Sequence, residues 1–261
     1  MIRNFGWAVD DKSRILKAKM IICCLEYVTG TSIKNKNILE VGAGSALISH
    51  ELAKLDNYVV SVDINDKIYK EANLRYNIQE DAQFLIADGR ELSFKAKSFD
   101  IIICNQVIEH VPIKDHRNFI TEMNRILKSG GLLYISTPNK FWFIEPHAKL
   151  PFLSYMPKSL ADKYIKFARG EEEYDINLLT YNQFVNSLKI FEITHNLTPH
   201  IIKNPDSFKI ENKIPKKIKV LLNLVPLILL QFLMPICPSW ILIGRKNEII
   251  KSEQDLSTER N

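Results

Sequence analysis

The sequence predicts an α/β protein whose core is a doubly wound sheet, that is, a largely parallel sheet with helices on both faces. Between Lys36 and Pro138, short runs rich in β-branched and aromatic residues alternate with longer runs whose apolar residues recur at helical spacing. Such alternation is typical of βαβ units. The first strand-like run leads into a glycine turn, VGAGS at 41–45, and a turn between a strand and a helix is a common ligand site.

Five strands and four helices can be placed in this region and just before it. The strand-like runs are 37–41, 57–63, 83–88, 98–104 and 132–138. The helical runs are 10–28, 45–55, 65–77 and 115–128. Asn65 is the predicted N-cap of the third helix, and Gly130 and Gly131 are predicted to end the fourth.

The alternation stops after Pro138. Residues 139–179 are rich in aromatic residues, prolines and charges, which favours an inserted segment that covers a substrate. Beyond it the patterns predict a helix at 179–188 and strands at 189–197 and 239–246. We therefore divide the chain into five parts: an N-terminal helical segment at 1–36, a ligand-binding core at 37–138, a substrate cover at 139–188, closing strands with an apolar helix at 189–246, and a polar tail at 247–261.

Composition narrows the classes of protein. With 261 residues and 46% hydrophobic content, the chain can bury a core and is not a disordered tail. Its 35 basic and 30 acidic residues give a mildly basic protein, without the strong clustered excess of a nucleic-acid binder. Nine of the basic residues, but only three acidic ones, lie between Lys203 and Lys251.

The cysteines and the N-terminus indicate the compartment. The four cysteines form no CxxC pair and have no histidine-rich neighbourhood, so we expect neither a zinc site nor disulfides. The first twenty residues carry charges throughout and contain no apolar run, so we expect no secretory signal. These features predict a cytoplasmic protein that binds no metal.

The glycine turn could serve two kinds of nucleotide-like ligand. Gly42 and Gly44 match the first two glycines of the dinucleotide fingerprint G-x-G-x-x-G, but Leu47 occupies the third position. Glu40, two residues before the first glycine, is not part of that fingerprint. The turn is therefore a poor match to a pyrophosphate-binding loop.

The stretch LEVGAGSA at 39–46 resembles the first motif of the class I S-adenosylmethionine-dependent methyltransferases. Further motifs follow in the family's order: an aspartate at the end of the second strand, another at the end of the third, the stretch FDIIICNQVIEHV at 99–111 and the block EMNRILKSGGLLYISTPN at 122–139. The resemblance covers residues 37–138 and departs from the tighter glycine motif at Ala46. It implies a Rossmann-like sheet of seven strands, mostly parallel, with an antiparallel last strand beside the fifth.

The resemblance also implies a cofactor, S-adenosylmethionine, and the residues that bind it. Glu40 is expected to orient the glycine loop and to face the methionine end of the cofactor. Asp63 is expected to bind the ribose hydroxyls and Asp88 the adenine amino group. Asn105 and Gln106 are expected beside the methionine end. The full set of implied cofactor-binding residues is Glu40, Gly42, Ala43, Gly44, Asp63, Ile64, Asp88, Gly89, Asn105 and Gln106.

Two histidines are candidate catalytic residues. A hydroxyl acceptor needs a general base, and histidine titrates in the useful range. His110 follows the fourth strand, and the pair Glu109 and His110 resembles the EHV ending of methyltransferases of the ubiquinone-biosynthesis type. His147, in the stretch EPHAKLPFL, lies in the cover. The alternatives are a helix-start residue bonded to backbone for His110 and a surface or turn histidine for His147.

The apolar stretch 220–244 contains no charge, but three prolines interrupt it and its last part resembles a strand. We therefore expect residues 220–234 to form a helix or helical hairpin that does not span a membrane. The basic run KIPKKIK at 213–219 favours contact with the inner face of a membrane, which would make the protein peripheral. A buried helix and a dimer contact are the alternatives.

The predicted activity is methyl transfer to an oxygen of a lipid-like, lipid-linked or small-molecule acceptor. The alternatives are an NAD-dependent oxidoreductase or epimerase and a methyltransferase-like subunit that binds without catalysing. Neither the acceptor nor the oligomeric state follows from the sequence.

Overall fold

The computed structural model describes residues 11–210 and 222–247. Nine strands are found there: β1 Asn37–Val41, β2 Tyr58–Asp63, β3 Gln83–Ile86, β4 Phe99–Asn105, β5 Leu127–Pro138, β6 Ile144–Glu145, β7 Leu150–Pro151, β8 Glu192–Asn196 and β9 Ser239–Arg245. The α-helices of the same residues, where both ends are described, are α1 Asp11–Thr29, α2 Leu47–Ala53, α3 Lys67–Tyr76, α4 His116–Ile126, α5 Lys158–Arg169, α6 Tyr181–Ser187, α7 Thr198–Lys203 and α8 Leu227–Phe232.

Seven of the strands form one sheet in the order β3-β2-β1-β4-β5-β9-β8. Strand β1 pairs in parallel with both β2 and β4, whereas β9 runs antiparallel to its neighbours β5 and β8. The predicted seven-stranded sheet with an antiparallel last strand is therefore confirmed. Chain order reverses between β1 and β4, and in such sheets ligands bind outside the carboxyl ends of the strands at this point.

Both faces of the sheet are buried at its central strands, as their apolar composition requires, whereas the edge strand β3 is largely exposed. Leu39 and Val41 of β1 belong to one apolar cluster, together with residues of α4 and α6. Ile38 belongs to a second cluster, together with residues of α1, α2 and α3. Successive residues of a strand point to opposite faces, so β1 fills both clusters. The predicted placement of helices on both faces is confirmed.

One boundary differs from the prediction. Helix α4 ends at Ile126, and β5 begins at Leu127, so the glycine pair lies within the strand and does not end the helix. A Cβ on Gly131 would lie 2.9 Å from the Asp100 carbonyl oxygen on β4. Glycine there lets two strands approach closely, and the pairing shifts register between Phe99 and Ile101.

The predicted cap of α3 is displaced by one residue. The N-cap residue is Asp66, whose side chain makes no capping bond. Asn65 is close to its predicted role, because its Oδ1 accepts a hydrogen bond of 2.9 Å from the N–H of Lys67.

The cover, residues 139–188, has a small core of its own. Eight buried residues between Ala148 and Leu178 form a third apolar cluster, to which α5 contributes. The short β6–β7 hairpin precedes this helix, and the loop between its two strands contains His147. The part of the cover between Ala148 and Leu178 therefore packs as a unit and can hold side chains in fixed positions, whereas its last helix, α6, packs in the first cluster of the main core.

The C-terminal apolar segment can be described only from residue 222. The basic run 213–219 and the predicted start of the apolar helix lie outside the described residues. From 222 onward the helix is interrupted at Pro226, and α8 covers six residues before a turn at Met234–Ile236 leads into β9. None of the helices in the described ranges is both long enough and apolar enough to cross a bilayer.

Candidate functional site

A cavity of about 670 Å³ lies at the carboxyl ends of the central strands. Its volume is in the range of sites that bind cofactor-sized molecules. The sequence-predicted residues that line it are Gly42, Gly44, Asp63, Ile64, Asp88, Gly89, Asn105, Gln106, His110 and His147. Glu40 and Ala43 were predicted with them but do not line the cavity.

The glycine turn brings backbone to the cavity wall. Gly42 has a φ of +70°, and a Cβ at this position would overlap the side chain of Val107. Gly42 and Ala43 donate their N–H groups to the Val62 carbonyl at 2.8 and 3.1 Å. The turn therefore offers close approach, while these two N–H groups are held by β2 and do not face a ligand.

The alanine that departs from the tighter glycine motif also has a left-handed backbone. Ala46 has a φ of +57° and precedes the first residue of α2. Left-handed backbone costs an ordinary residue roughly 1 kcal/mol, which explains a preference for glycine here. Ala46 is fully buried among apolar residues, and its methyl contributes to that packing.

Glu40 supports the turn from behind. Its carboxylate accepts two hydrogen bonds from Ser49, from the N–H at 3.0 Å and from the hydroxyl at 2.6 Å. Burial raises the pKa of Glu40 to about 7, and the bonds from Ser49 act in the opposite direction. Glu40 therefore fixes α2 to the end of β1. Its predicted contact with the methionine end of a cofactor stays a prediction.

The two predicted aspartates line the cavity at adjacent strand ends. Asp63 accepts hydrogen bonds from the N–H groups of Gly44 at 2.8 Å and Asn65 at 3.0 Å. Asp88 forms an ion pair with Arg90 at 2.6 Å, and the hydrogen bonds from Arg90 lower the pKa of Asp88. Both carboxylates are held in place, and their roles toward a ligand stay predictions.

Helix α1 adds two cations that the sequence reasoning missed. Arg14 lines the cavity, with its guanidinium 3.7 Å from where a Cβ of Gly44 would stand. Lys17 donates to Gln106 Oε1 at 2.7 Å, and burial lowers the pKa of Lys17 to about 8. Their spacing of three residues places both on one helix face. That spacing was visible in the sequence, but the packing of α1 over the turn was not.

The other end of the cavity joins the two candidate histidines. Their rings lie 5.0 Å apart and nearly perpendicular, although 37 positions separate them in the sequence. His110 ends a 3-10 turn after β4 and is exposed, and its backbone N–H donates to the Val107 carbonyl. His147 comes from the cover, and its side chain is 8% exposed.

Two buried carboxylates lie beside His147. Glu145 Oε1 is 2.9 Å from His147 Nδ1, and Glu109 Oε1 is 3.8 Å from His147 Nε2. Burial raises the pKa of Glu109 to about 7, against the effects of His147 and of a hydrogen bond from Thr137. Sequence reasoning named Glu109 only as a neighbour of His110 and missed Glu145. The sequence did contain a signal for Glu145, because in EPH an acid stands two positions before the histidine.

These groups converge on one small volume. One nitrogen or oxygen atom from each of Glu109, His110 and His147 lies within 4.8 Å of the other two. They can therefore act on a single atom or small ion. Such a cluster at a cavity is a candidate for proton transfer.

Comparison with known proteins gives consistent matches. The family model described as a methyltransferase domain matches residues 39–135. Ubiquinone biosynthesis O-methyltransferases of Coxiella burnetii, from strains RSA 493 and Dugway 5J108-111, are 30% and 34% identical to this chain over 178 residues. Each alignment covers 66% of this chain and 71% of the relative. The corresponding protein of Bartonella quintana is 33% identical over 155 residues, which is 57% of this chain and 60% of the relative.

Solved structures support the same fold. An S-adenosylmethionine-dependent methyltransferase from Methanosarcina mazei has a TM-score of 0.57 and 21% identity, and the match covers 85% of this chain and 97% of that one. A protein of Pyrococcus horikoshii OT3 has a TM-score of 0.59 at 16% identity, over 88% of this chain and 90% of that one. At these identities the likeness concerns the fold.

Proposed function

Because this chain belongs to the class I S-adenosylmethionine-dependent methyltransferases, we propose that it transfers the methyl group to a hydroxyl oxygen of a lipid-like or lipid-linked acceptor. Family membership makes S-adenosylmethionine its cofactor and methyl transfer its reaction. It also sets aside the two alternatives from the sequence, an NAD-dependent enzyme and a non-catalytic subunit. The acceptor and the roles of individual residues are the proposal.

The cofactor would occupy the cavity with its methionine end at the glycine turn. The presence of both Gly42 and Gly44 in the cavity lining supports this placement, since a turn between a strand and a helix lets backbone lie close to a ligand. Asp63 would bind the ribose hydroxyls and Asp88 the adenine amino group. Arg14, a guanidinium at the cavity wall beside Gly44, would bind the methionine carboxylate.

The bound cofactor supplies an activated methyl on a sulfonium, so the protein has to align the acceptor and exclude water. A hydroxyl is a weak nucleophile until its proton is removed, whereas an amine needs no base when it is neutral. The cluster of Glu109, His110 and His147 is the observation that carries the choice of oxygen, because its histidines and carboxylate suit proton removal. The names of the O-methyltransferase relatives support the same choice.

Exposed apolar side chains support a lipid-like acceptor. Those of the C-terminal segment are Leu224, Ile228, Leu229, Phe232, Leu233 and Ile236. The cover exposes further ones, among them Phe141, Phe143, Phe152 and Tyr155. Asn139 connects the two groups, since its Nδ2 donates to the carbonyls of Pro235 and Cys237 and its Oδ1 accepts from Phe141 N–H, each at 2.8 Å. Isolated exposed apolar residues are ordinary, but a concentration of them on two segments tied together through Asn139 suits a contact surface.

We propose that this surface contacts the inner face of a membrane. The basic run 213–219 immediately precedes the apolar segment in the sequence, and lysines attract anionic headgroups. The cover carries both part of this surface and His147 at the cavity. An acceptor held in the bilayer could therefore reach the cavity along the cover.

A labelling experiment tests the proposed reaction. Purified protein and methyl-labelled S-adenosylmethionine are incubated separately with the lipid and the aqueous fractions of a cell extract. We expect label in the lipid fraction, in a product that resists mild alkali as a methyl ether does. Label confined to the aqueous fraction would contradict a lipid-like acceptor, and label on nitrogen would contradict oxygen. The variant Asp63→Ala is the control. Label that it still transfers at the wild-type rate does not come from this site.

A further inference from the structure

We infer that Glu145 is a positioning residue that holds His147 with Nε2 toward the cavity, so that His147, and not His110, receives the acceptor proton. The inference rests on the proposed function only in taking the acceptor to be a hydroxyl. It adds a residue of the cover to the chemistry of the site.

Glu145 is fully buried at the end of β6, and both oxygens of its carboxylate are used. One accepts a hydrogen bond from the N–H of Ala148, and the other lies 2.9 Å from His147 Nδ1. The backbone is fixed as well, because Lys149 N–H donates to the Glu145 carbonyl at 2.8 Å. If Glu145 bonded only to Ala148, its role would be to close the turn of the hairpin. The second bond, to a histidine that lines the cavity, indicates a further role.

The bond from Glu145 selects one tautomer of His147. An ionised carboxylate only accepts hydrogen bonds, so Nδ1 must carry the hydrogen. In the neutral ring Nε2 is then the acceptor nitrogen. The same logic orients the histidine in hydrolases that use a Ser-His-Asp triad.

Glu109 defines where the acceptor oxygen can bind. Its Oε1 is buried and accepts no hydrogen bond from any described residue, although Oε2 accepts one from Thr137 at 3.1 Å. This oxygen lies 3.8 Å from His147 Nε2, too far for a direct hydrogen bond. An acceptor hydroxyl beside Glu109 Oε1 would donate its single hydrogen to His147 Nε2 at about 2.8 Å.

The step balances without another reactant. The acceptor oxygen forms a bond to the methyl carbon while the carbon–sulfur bond breaks, and the electron pair of that bond remains on sulfur. The hydroxyl proton moves to His147 Nε2. The resulting imidazolium lies between the carboxyl groups of Glu145 and Glu109, which stabilise its positive charge.

Other charged groups face this pair. Lys17 acts on Glu109 through its charge, while Asp175 and His110 line the same cavity. His110 is more exposed than His147, and its ring packs edge-on against the His147 ring. We assign it contact with the acceptor, so its loss should raise the KM for the acceptor more than it lowers kcat.

The substitution Glu145→Gln tests the inference sharply. The Ala148 N–H requires the amide oxygen, which leaves the amide NH₂ facing His147 Nδ1. The amide would then donate where the carboxylate accepted, so the hydrogen of the neutral ring moves to Nε2 and the nitrogen that faces the acceptor can no longer take a proton. We expect kcat to fall about a hundredfold or more, as for loss of a general base, with S-adenosylhomocysteine affinity changed less than about twofold.

The tautomer itself can be observed without any acceptor. Nitrogen NMR of protein labelled at histidine reports which ring nitrogen carries the hydrogen. The His147 signals are those that disappear in His147→Gln. We expect the hydrogen on Nδ1 in the wild type and on Nε2 in Glu145→Gln. Glu172→Gln, at an exposed glutamate of the cover paired with Lys166, is the matched control and should keep the wild-type kcat and tautomer.

The outcomes separate this inference from the proposed function. Wild-type kcat or an unchanged His147 tautomer in Glu145→Gln would overturn the positioning role. Activity that disappears with a chelator and returns with magnesium would overturn the role of His147 as base. If no hydroxyl acceptor is methylated at all, the proposed function fails, and the NMR result still decides whether Glu145 sets the tautomer. Unchanged S-adenosylhomocysteine binding shows that the variant is folded.

Discussion

The N–H of Gly44 donates a hydrogen bond of 2.8 Å to Asp63 Oδ2, which ties the glycine turn after β1 to the end of β2. The other oxygen of Asp63 accepts from Asn65 N–H. One carboxylate thus holds two loops of the cavity wall while lining the cavity itself. Its removal should affect both the shape of the site and the ligand contact.

We therefore expect Asp63→Ala to weaken S-adenosylhomocysteine binding by tenfold or more. Loss of hydrogen bonds to a charged group corresponds to about 1.5 to 3 kcal/mol. Calorimetric titration measures the affinity. Asp81→Ala, at a half-exposed aspartate outside the cavity lining, is the control and should bind normally. Equal affinity in Asp63→Ala and wild type would contradict the role of Asp63.

We expect Gly42→Ala to reduce both stability and cofactor affinity. The added Cβ meets left-handed backbone and also overlaps Val107, which would be displaced within the cavity lining. Gly170 provides a matched control, because its φ of +72° imposes the same strain while nothing lies within 4 Å of an added Cβ. Gly170→Ala should lose roughly 1 kcal/mol of unfolding free energy and keep its affinity.

Thermal unfolding and titration with S-adenosylhomocysteine measure both quantities. The overlap with Val107 predicts that Val107→Ala restores part of the affinity lost in Gly42→Ala. If Gly42→Ala behaves like Gly170→Ala, backbone strain alone would explain the glycine, and close packing at the turn would not be needed.

The local sequence pattern predicted the part of the site that lies at the ends of the strands. A strand, a glycine turn and a helix occupy consecutive residues. Asp63 ends β2 and Asp88 comes shortly after β3, so their common edge follows from the parallel sheet. The same reasoning placed Glu40 at the cavity, but Glu40 does not line the cavity wall, and its contact with a cofactor stays a prediction. Side-chain direction depends on the pleat, and the bonds to Ser49 show that Glu40 points toward α2.

Long-range contacts could not be predicted in this way. Lys17 bonds Gln106 across 89 positions, and nothing in either local stretch indicates that α1 packs there. Glu145 meets His147, which lines the cavity, through the fold of the cover, a segment with no regular alternation. The end of α4 was misplaced because the approach of Gly131 to Asp100 favours a strand, and this tertiary contact outweighs the local glycine signal.

The buried acid behind the turn predicts an unusual pH dependence of stability. Burial raises the pKa of Glu40 from its ordinary value of 4.5 to about 7. Between these values the folded protein keeps a proton that the unfolded chain has released, so rising pH lowers the unfolding free energy. The slope is at most about 1.4 kcal/mol per pH unit for one group.

Glu40→Gln removes this titration while an amide oxygen can still accept from Ser49. We expect the wild type to lose stability relative to Glu40→Gln as pH rises from 4.5 to 7, with little further change above. His50 and His200, whose pKa values are lowered by burial, oppose the trend in both proteins and cancel in the difference. Denaturant titrations at several pH values give the two curves, and parallel curves would contradict a raised pKa.

The exposed apolar surface predicts reversible binding to anionic vesicles. Ile228 and Phe232 are four residues apart on α8 and are 65% and 77% exposed, whereas Leu230 and Met234 are buried. Deleting the whole segment would therefore remove part of the core, and point changes are the cleaner test. We expect Ile228→Glu/Phe232→Glu to reduce co-sedimentation with phosphatidylglycerol vesicles by tenfold or more, since each buried apolar side chain contributes about 1.5 to 3 kcal/mol. The stability of the variant should be unchanged.

Leu74→Glu is the control, because Leu74 is 89% exposed on α3 and belongs to neither part of the apolar surface. It should sediment like the wild type. Added salt should weaken binding if the lysines of 213–219 contribute, and phosphatidylcholine vesicles should bind less protein. If the wild type does not sediment with anionic vesicles, or if Leu74→Glu loses binding equally, the apolar surface has another partner.

A self-association measurement of the same variants would then test the dimer contact, because a dimer held by α8 would dissociate in Ile228→Glu/Phe232→Glu and persist in Leu74→Glu.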